Sequence, residues 1–201
     1  MLLTVAAVRE EGVDTCDGQV LARCCIGDIC ADVPVSSGIK PGVYSIEEAM
    51  RDERLRTCLE VLNRQRERGI RRLATCRAKE SEKCVRRLTE YVLSRYGGPV
   101  MLVGFNNKVA AALYSMAYVL VASEEGRPVP LDLVDASSVK GWIGQVKAVV
   151  VAPGALTGAQ LLELVNEAKA RGVPVIMYGA LSVLYKDLGI EYFCPYGIRV
   201  K

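Results

Sequence analysis

The chain of 201 residues contains no histidine. This absence excludes a Ser-His-Asp triad, a Cys-His pair, a histidine general base and any zinc site that uses imidazole ligands. Acid–base chemistry would therefore fall to Asp, Glu, Lys, Tyr or Cys side chains. A bound metal would need thiolates, carboxylates or backbone oxygens as its ligands.

Long apolar runs are also missing, since no stretch reaches the ~18 residues that a membrane-spanning helix requires. The chain starts with the apolar residues 1–8, but no basic segment precedes them and charged residues follow at once. We interpret this start as a strand or short helix rather than a signal peptide. The sequence therefore predicts a cytoplasmic protein without a membrane partner.

Two nucleotide-binding signatures are absent as well. Gly104 stands alone after an apolar run, with no Gly-x-Gly-x-x-Gly, and the chain has no Walker motif. Glycines at these spacings allow a backbone to approach a pyrophosphate closely. NAD or FAD bound in the usual Rossmann manner is therefore not expected.

Charge divides the chain into three parts, with net charges of −5 over residues 1–50, +7 over 51–95 and +1 over 96–201. The basic part contains Arg64, Arg66, Arg68, Arg71, Arg72, Arg86 and Arg87. Glutamates are interleaved with these arginines, and no aromatic residue alternates with them. This pattern favours an ion-paired, solvated helix face, and nucleic-acid binding is the weaker alternative.

Eight cysteines are present without a Cys-x-x-Cys motif. Cys24, Cys25 and Cys30 lie in a predicted hairpin around residues 19–33, and Cys16 precedes it. Adjacent Cys24 and Cys25 should point to opposite faces, so that one of them can face Cys30. Disulfides, packed thiols and a soft or transition metal held by these four cysteines all remain open, and we favour disulfides. Abundant arginine and scarce Asn and Gln favour a thermophilic, archaeal-like source, where intracellular disulfides occur.

The pattern of residues 97–201 indicates an α/β domain with a Rossmann-like parallel sheet, because short apolar strands alternate with amphipathic helices. Predicted strands cover 100–104, 118–122, 131–134, 148–152, 173–178 and 191–193, and predicted helices cover 107–116, 156–171 and 180–188. Residues 1–96 are expected to form a smaller α+β part, with the β-hairpin followed by Arg-rich helices over 45–69 and 81–96.

Small and polar residues follow several of these predicted strands. In a doubly wound sheet, ligands bind beyond the carboxyl ends of the strands, where glycine lets them approach the backbone and helix N-termini favour anions. The candidate ligand-binding residues are Gly104, Asn106, Asn107, Glu124, Pro153, Gly154 and Gly179. The alternative is that these are only tight turns between strands and helices.

Five segments carry a family resemblance: residues 102–105 (Leu-Val-Gly-Phe), the acidic, Gly- and Pro-containing segment 120–130, residues 149–156, residues 175–179 and a final Gly-containing segment at 188–197. In these segments the chain resembles the heavy-metal chelation domain family, a set of uncharacterised prokaryotic proteins. The resemblance implies a Rossmann-like C-terminal domain, an N-terminal domain like the capping domain of enolase, and metal chelation. The chain departs from the family at Gly179-Ala180, where Gly-Pro is expected, and at Pro153-Gly154, where polar residues are usual.

Three functions follow from this reading. The first is binding of a small-molecule, anionic or metal ligand in a cleft between the N-terminal part and the strand ends. The second is an enzyme acting on a nucleotide-like or phosphorylated substrate, with Glu124 or Asp135 as its base. The third is nucleic-acid association through the arginine helices. A homodimer formed through the apolar C-terminal segment is a further possibility.

Overall fold

The computed structural model describes residues 1–7, 20–35, 39–74, 78–104, 106–122, 132–134 and 139–195. By its internal contacts the chain divides between Glu80 and Ser81 into an N-terminal unit, Met1–Glu80, and a C-terminal unit, Ser81–Pro195. The sequence analysis placed the division between residues 96 and 97. In the structure, most of the helix Ala78–Tyr96 belongs to the C-terminal unit.

The N-terminal unit contains a five-stranded sheet in the order β4-β1-β2-β3-β5. Its elements are β1 (Leu2–Ala7), β2 (Val20–Ile26), β3 (Ile29–Val35), β4 (Gly42–Ser45), α1 (Ile46–Arg51), α2 (Glu53–Glu67) and β5 (Arg72–Leu73). All neighbouring strands are antiparallel except β3 and β5, which run parallel. The predicted hairpin is therefore confirmed, whereas β4 and β5 were not anticipated.

The hairpin of β2 and β3 turns at Gly27 and Asp28, and Gly27 has a φ of +60°. Glycine adopts this conformation without strain, and it suits the first position of a two-residue hairpin turn. Because the turn closes on the pair Ile26–Ile29, the register places Cys25 directly opposite Cys30.

The helix predicted over residues 45–69 is divided in two at Asp52. Ser45 begins α1 with a reciprocal capping box to Glu48, as the sequence indicated. Asp52 has an extended backbone, and its carboxylate accepts a hydrogen bond from Arg54 N at 2.9 Å, which caps α2. Such a cap satisfies an amide that would otherwise lack a partner, so it stabilises a new helix start there.

The C-terminal unit contains a six-stranded parallel sheet in the order β11-β10-β9-β6-β7-β8. Its elements are the part of α3 (Ala78–Tyr96) from Ser81 onward, β6 (Val100–Val103), α4 (Asn107–Tyr114), β7 (Val119–Ala122), β8 (Asp132–Val134), α5 (Val139–Trp142), β9 (Ala148–Val151), α6 (Gly158–Ala170), β10 (Val175–Tyr178) and β11 (Glu191–Phe193). The predicted α/β class with a Rossmann-like parallel sheet is confirmed.

Both faces of this sheet are buried, which explains why its strands are continuously apolar. On one face, residues of the central strands pack against α3 and α4; the cluster includes Leu88, Val92, Val100, Leu102, Val109, Leu113, Val121 and Val150. The alternate strand residues Met101, Val103, Val149 and Val151 are also at most 4% exposed. The core of the unit therefore extends through the sheet.

Residues Ala180–Leu188 form a helix with the predicted bounds, and it is of the 3-10 type. The first turn is closed by hydrogen bonds from Ser182 to the carbonyl oxygen of Gly179, three residues earlier. No helix in the described part of the chain is long and apolar enough to cross a membrane.

Candidate ligand site at the carboxyl edge of the parallel sheet

The order of strands reverses at β6. From this central strand the chain first adds β7 and β8 on one side, and then adds β9, β10 and β11 on the other. The connections that follow β6 and β9 therefore leave in opposite directions, although the two strands are hydrogen-bonded neighbours. In open α/β sheets, ligands bind at the carboxyl ends of the strands at such a switch point.

The structure brings the turn after β6 into contact with the turn after β9. A Cβ added at Gly104 would lie 2.3 Å from Ala155 Cβ and 3.1 Å from Ala152 Cβ, and Gly104 has a φ of +81°. Hydrogen bonds fix both turns, since Ala152 N donates to Val103 O at 2.9 Å and Gly104 N donates to Ala122 O at 2.8 Å. The space that glycine leaves here is filled by Ala155 rather than being open.

Gly179, at the end of β10, contacts the same region through Pro153. A Cβ at Gly179 would lie 3.3 Å from Pro153 Cγ, and the residue has a φ of +86°. The fully buried Ser182 donates its hydroxyl to Gly179 O at 2.6 Å. Gly104, Pro153 and Gly179 therefore lie at one edge of the sheet, and their role in ligand binding stays a prediction. The sequence analysis missed Ser182, a buried polar residue bonded to Gly179.

Asn106 is buried and serves as the N-cap of α4. Its Oδ1 accepts a hydrogen bond from Val109 N at 3.2 Å, and its carbonyl oxygen accepts one from Ala110 N at 2.8 Å. Asn107 is the first residue of the helix and is half-buried. Because Asn106 Oδ1 already accepts a hydrogen bond at the start of α4, the groups left for a ligand here are the backbone of the turn and the Asn107 side chain.

The N-terminus of α6, after β9, is capped in a similar way. Thr157 accepts a hydrogen bond from Gln160 N, and the Gln160 side chain accepts one from Thr157 N at 2.9 Å, which completes a capping box. Such capping satisfies the first amides of a helix internally. Both helix starts at the switch point thus carry caps from their own side chains.

Glu124 and Asp135 lie outside the described residues, so their predicted roles as anchor or base stay predictions. Residues 123–131 follow β7 directly in sequence, and β7 ends at Ala122 on the carboxyl edge. This segment contains Glu124, Glu125 and Arg127. Lys108, which directly follows Asn107 on α4, is the charged residue nearest in sequence to the turn after β6.

Four of the cysteines in the described ranges form two disulfides, Cys24–Cys58 and Cys25–Cys30. The preference for disulfides, with one of the adjacent cysteines facing Cys30, is confirmed. The bridge to Cys58 joins β2 to α2 and could not be read from local spacing. Cys16 lies outside the described residues, and no group of three or more potential metal ligands occurs among those that the structure does describe. Metal binding at Cys16, Cys24, Cys25 and Cys30 stays a prediction, and for the last three it would require reduction.

A polar cluster that the sequence analysis missed joins the end of α3 to β11. The Glu191 carboxylate accepts hydrogen bonds from Tyr91 Oη at 2.6 Å and from Tyr96 Oη at 2.5 Å. The Arg95 guanidinium lies 5.7 Å from the centroid of each of these two rings. Phe193 covers one side of the cluster, with its ring centroid 5.1 Å from that of Tyr91.

The ionisation of this cluster follows from its contacts. Burial acts to raise the pKa of Glu191, but the two phenols and Arg95 outweigh it and hold that pKa below its ordinary value. Burial and the bond to Glu191 raise the pKa of Tyr96, and the bond to Glu191 also raises that of Tyr91. Glu191 therefore stays charged and the two phenols stay neutral over a wide pH range. Their hydrogen bonds persist over that range and can serve as a structural anchor.

Several arginines of the basic segment are paired with acidic neighbours. Arg64 Nε lies 3.5 Å from Glu60 Oε1, and Arg71 Nε lies 3.6 Å from Asp28 Oδ2. Arg66 donates to Asn63 on the same helix. These contacts are those of a solvated, ion-paired surface.

Comparison with known proteins finds a distant structural likeness. No protein-family model matches the chain, and no curated protein matches it in sequence. The chain is similar to the crystal structure of a protein of unknown function from the DUF364 family of Pyrococcus horikoshii, with 10% sequence identity over 88% of this chain and 71% of that chain, and a TM-score of 0.44.

Proposed function

We propose that this chain binds an anionic small molecule at the carboxyl edge of the parallel sheet, where β6 and β9 part. The observation that carries the proposal is the reversal of strand order at these two neighbouring strands. We call this region the switch edge and define it by Gly104, Asn106, Asn107, Pro153, Gly154 and Gly179.

The chemistry of the switch edge supports an anion rather than a cation. None of its six defining residues has an ionisable side chain, so it offers backbone groups, a proline ring and amides. The following helices begin there, and the amide ends of helices favour negative charge. Because Asn106 and Thr157 already cap these helices, the expected contacts are with the loop backbone and with residues contributed by segment 123–131.

Heavy-metal chelation, which the family resemblance implies, is a second and separate form of ligand binding that we propose for this chain. It needs soft ligands, and in this chain those are cysteine thiolates. Since Cys24, Cys25 and Cys30 are held in disulfides, chelation by them would occur only in the reduced protein. Elemental mass spectrometry and a free-thiol count on one anaerobically purified sample show whether the cysteines chelate a metal. Stoichiometric metal that protects thiols from alkylation would support chelation, whereas a metal-free protein with intact disulfides would contradict it.

The test of small-molecule binding begins with the native protein. Protein purified by rapid native chromatography is denatured, and the released metabolites are identified by mass spectrometry. The released metabolites and a panel of other anionic metabolites are then tested for their effect on the thermal unfolding temperature. A ligand present at a hundred times its Kd stabilises the folded state by about 2.7 kcal/mol, which such a measurement detects.

Variants then locate the binding. Asn107→Ala, which removes an amide, and Asn107→Asp, which places a negative charge beside the anion, are compared with Glu163→Gln, which removes an exposed charge on α6 that pairs with Lys140. We expect the switch-edge variants to weaken binding at least tenfold and the control to leave it unchanged. Equal affinities in all three variants, or no stabilisation by any anionic metabolite, would overturn the proposal.

A further inference from the structure

The two disulfides of the N-terminal unit lie on opposite faces of its sheet. Cys24 and Cys58 are both completely buried, because Cys24 points toward α2. Cys25 is the next residue along β2, so its side chain points to the other face of the sheet. Cys25 and Cys30 are each only partly buried there. The chain thus combines one inaccessible bridge with one that solvent and thiols can reach.

The backbone around Cys25 and Cys30 is held independently of their bond. The two residues face each other across the hairpin with their Cα atoms 4.2 Å apart. Cys30 N donates to Arg71 O at 2.8 Å, and its carbonyl oxygen accepts a hydrogen bond from Gln65 Nε2 at 3.1 Å. Opening the bridge therefore leaves two thiols side by side, ready to close again.

The two cysteines of this bridge differ in the charge of the residue beside them on the neighbouring strand. Arg72 on β5 is in register with Cys30, and it is exposed, while the next residue, Leu73, is buried on the α2 side. Paired residues of neighbouring strands share a face, so Arg72 lies on the face that carries Cys30. Thr4, which is uncharged, is in register with Cys25.

Two pairs of opposite charges lie near the bridge. Arg23 and Asp32, two residues along each strand from the bridge, form an ion pair at 2.8 Å. Asp28 at the hairpin turn lies 3.6 Å from Arg71 Nε. The positive charge of Arg72 is thus placed to favour a thiolate at Cys30 more than at Cys25.

We propose that Cys25–Cys30 is a thiol–disulfide exchange site that accepts two electrons from small thiols, while Cys24–Cys58 is a structural bridge. The thiolate of a small thiol attacks Cys25 Sγ and forms a mixed disulfide, and Cys30 leaves with the electron pair as a thiolate beside Arg72. A second thiol attacks the mixed disulfide, releases the oxidised small disulfide and leaves Cys25 as a thiol. The sulfurs exchange protons with solvent, so that two thiols and one protein disulfide give one small disulfide and two protein thiols.

The decisive experiment compares the two bridges in the intact native chain. The oxidised protein is incubated with glutathione near pH 7.5, quenched with acid at intervals, alkylated and analysed by peptide mass spectrometry. We expect Cys25 and Cys30 to become alkylated at least tenfold faster than Cys24 and Cys58, with the glutathione adduct on Cys25. Equal opening rates, opening of Cys24–Cys58 first, or adducts mainly on Cys30 would overturn the proposal.

A charge variant tests the assigned direction of attack. Arg72→Gln should slow opening about threefold or more, whereas Arg66→Gln, which removes another exposed arginine of the same unit, should have no effect. If both variants open at the wild-type rate, the role of Arg72 is wrong. The comparison of the two opening rates in the wild-type protein tests the exchange site without any variant. Its outcome does not depend on ligand binding at the switch edge.

Discussion

Tyr96 donates a 2.5 Å hydrogen bond to the carboxylate of Glu191, ninety-five residues further along the chain. Tyr91, one and a half turns earlier on α3, donates to the other oxygen of the same carboxylate. A single glutamate on the edge strand β11 thereby fixes the end of α3 against the sheet. Hydrogen bonds to a charged acceptor are stronger than those between neutral groups, so this contact should contribute measurably to stability.

Removal of one phenol hydroxyl tests that contribution. We expect Tyr96→Phe to lower the free energy of unfolding by about 1–2 kcal/mol, because a hydrogen bond to a charged group is lost while the ring remains. Urea unfolding followed by circular dichroism measures the change. Tyr114→Phe, at a tyrosine that is 50% exposed, is the control and should change stability by less than about 0.5 kcal/mol. Indistinguishable effects of the two substitutions would show that the cluster is not an anchor.

The same cluster predicts a pH dependence with two limbs. The pKa of Glu191 is lowered in the folded protein, so its contribution is present above pH 4.5 and is lost as the pH falls through the folded-state pKa. The pKa values of Tyr91 and Tyr96 are raised, so their contribution is full below pH 10 and is lost as the pH rises above it. The stability difference between wild type and Glu191→Gln should therefore be constant near neutrality and shrink at both extremes. A difference that grows toward low pH would contradict the assignment.

The two disulfides should differ in their contributions to stability. Loop-closure entropy predicts about 4 kcal/mol for Cys24–Cys58, with its sequence separation of 34, and about 2 kcal/mol for Cys25–Cys30, with a separation of 5. Paired Cys→Ala variants of each bridge, compared by denaturant unfolding, measure the two values. Cys84→Ala removes a buried cysteine that belongs to neither bridge and shows the cost of losing a buried sulfur. The opposite ranking of the two bridges would contradict the structure.

Gly104→Ala should be strongly destabilising. The new methyl group would lie 2.3 Å from Ala155 Cβ, and the backbone has a φ of +81°. We expect a loss of more than about 3 kcal/mol, which combines overpacking with an unfavourable backbone conformation. Gly172→Ala is the matched control, since Gly172 has a φ of +68° but nothing within 4 Å of the added Cβ, and about 1 kcal/mol is expected there. Adding Ala155→Gly should recover part of the Gly104→Ala loss.

Asn106 can be tested for its capping role separately from ligand binding. Asn106→Ala should cost about 1 kcal/mol because Val109 N loses its acceptor, whereas Asn106→Asp should keep the cap and most of the stability. Thermal unfolding of the ligand-free protein gives both values. An Asp variant as unstable as the Ala variant would show that the side chain does more than cap α4.

The C-terminal unit could be predicted closely because its signals are local. β11 occupies Glu191–Phe193 as expected, and the ends of β6, β7 and β9 fall within one residue of their predicted positions. Continuous apolar runs between polar turns define such strands without any knowledge of their neighbours. The strand order, which creates the switch edge, was not predicted, because right-handed crossovers between alternating strands and helices leave several orders open.

Features that depend on distant contacts could not be predicted. The two-residue strand β5 has no pattern of its own and exists because Arg72 and Leu73 pair with β3. The Cys24–Cys58 bridge requires α2 to lie over β2, and the Glu191 cluster requires β11 to reach α3. Gly104 was correctly placed at the edge, but the filling of its space by Ala155 depends on packing between two turns.

The central position of β6 has a consequence for synthesis on the ribosome. One side of β6 can pair with β7 soon after both emerge, but the other side must wait for β9, whose first residue, Ala148, follows the last residue of β6 by forty-five positions. Throughout that interval the nascent chain presents an apolar strand with one set of unpaired backbone groups, a surface on which foreign strands can add.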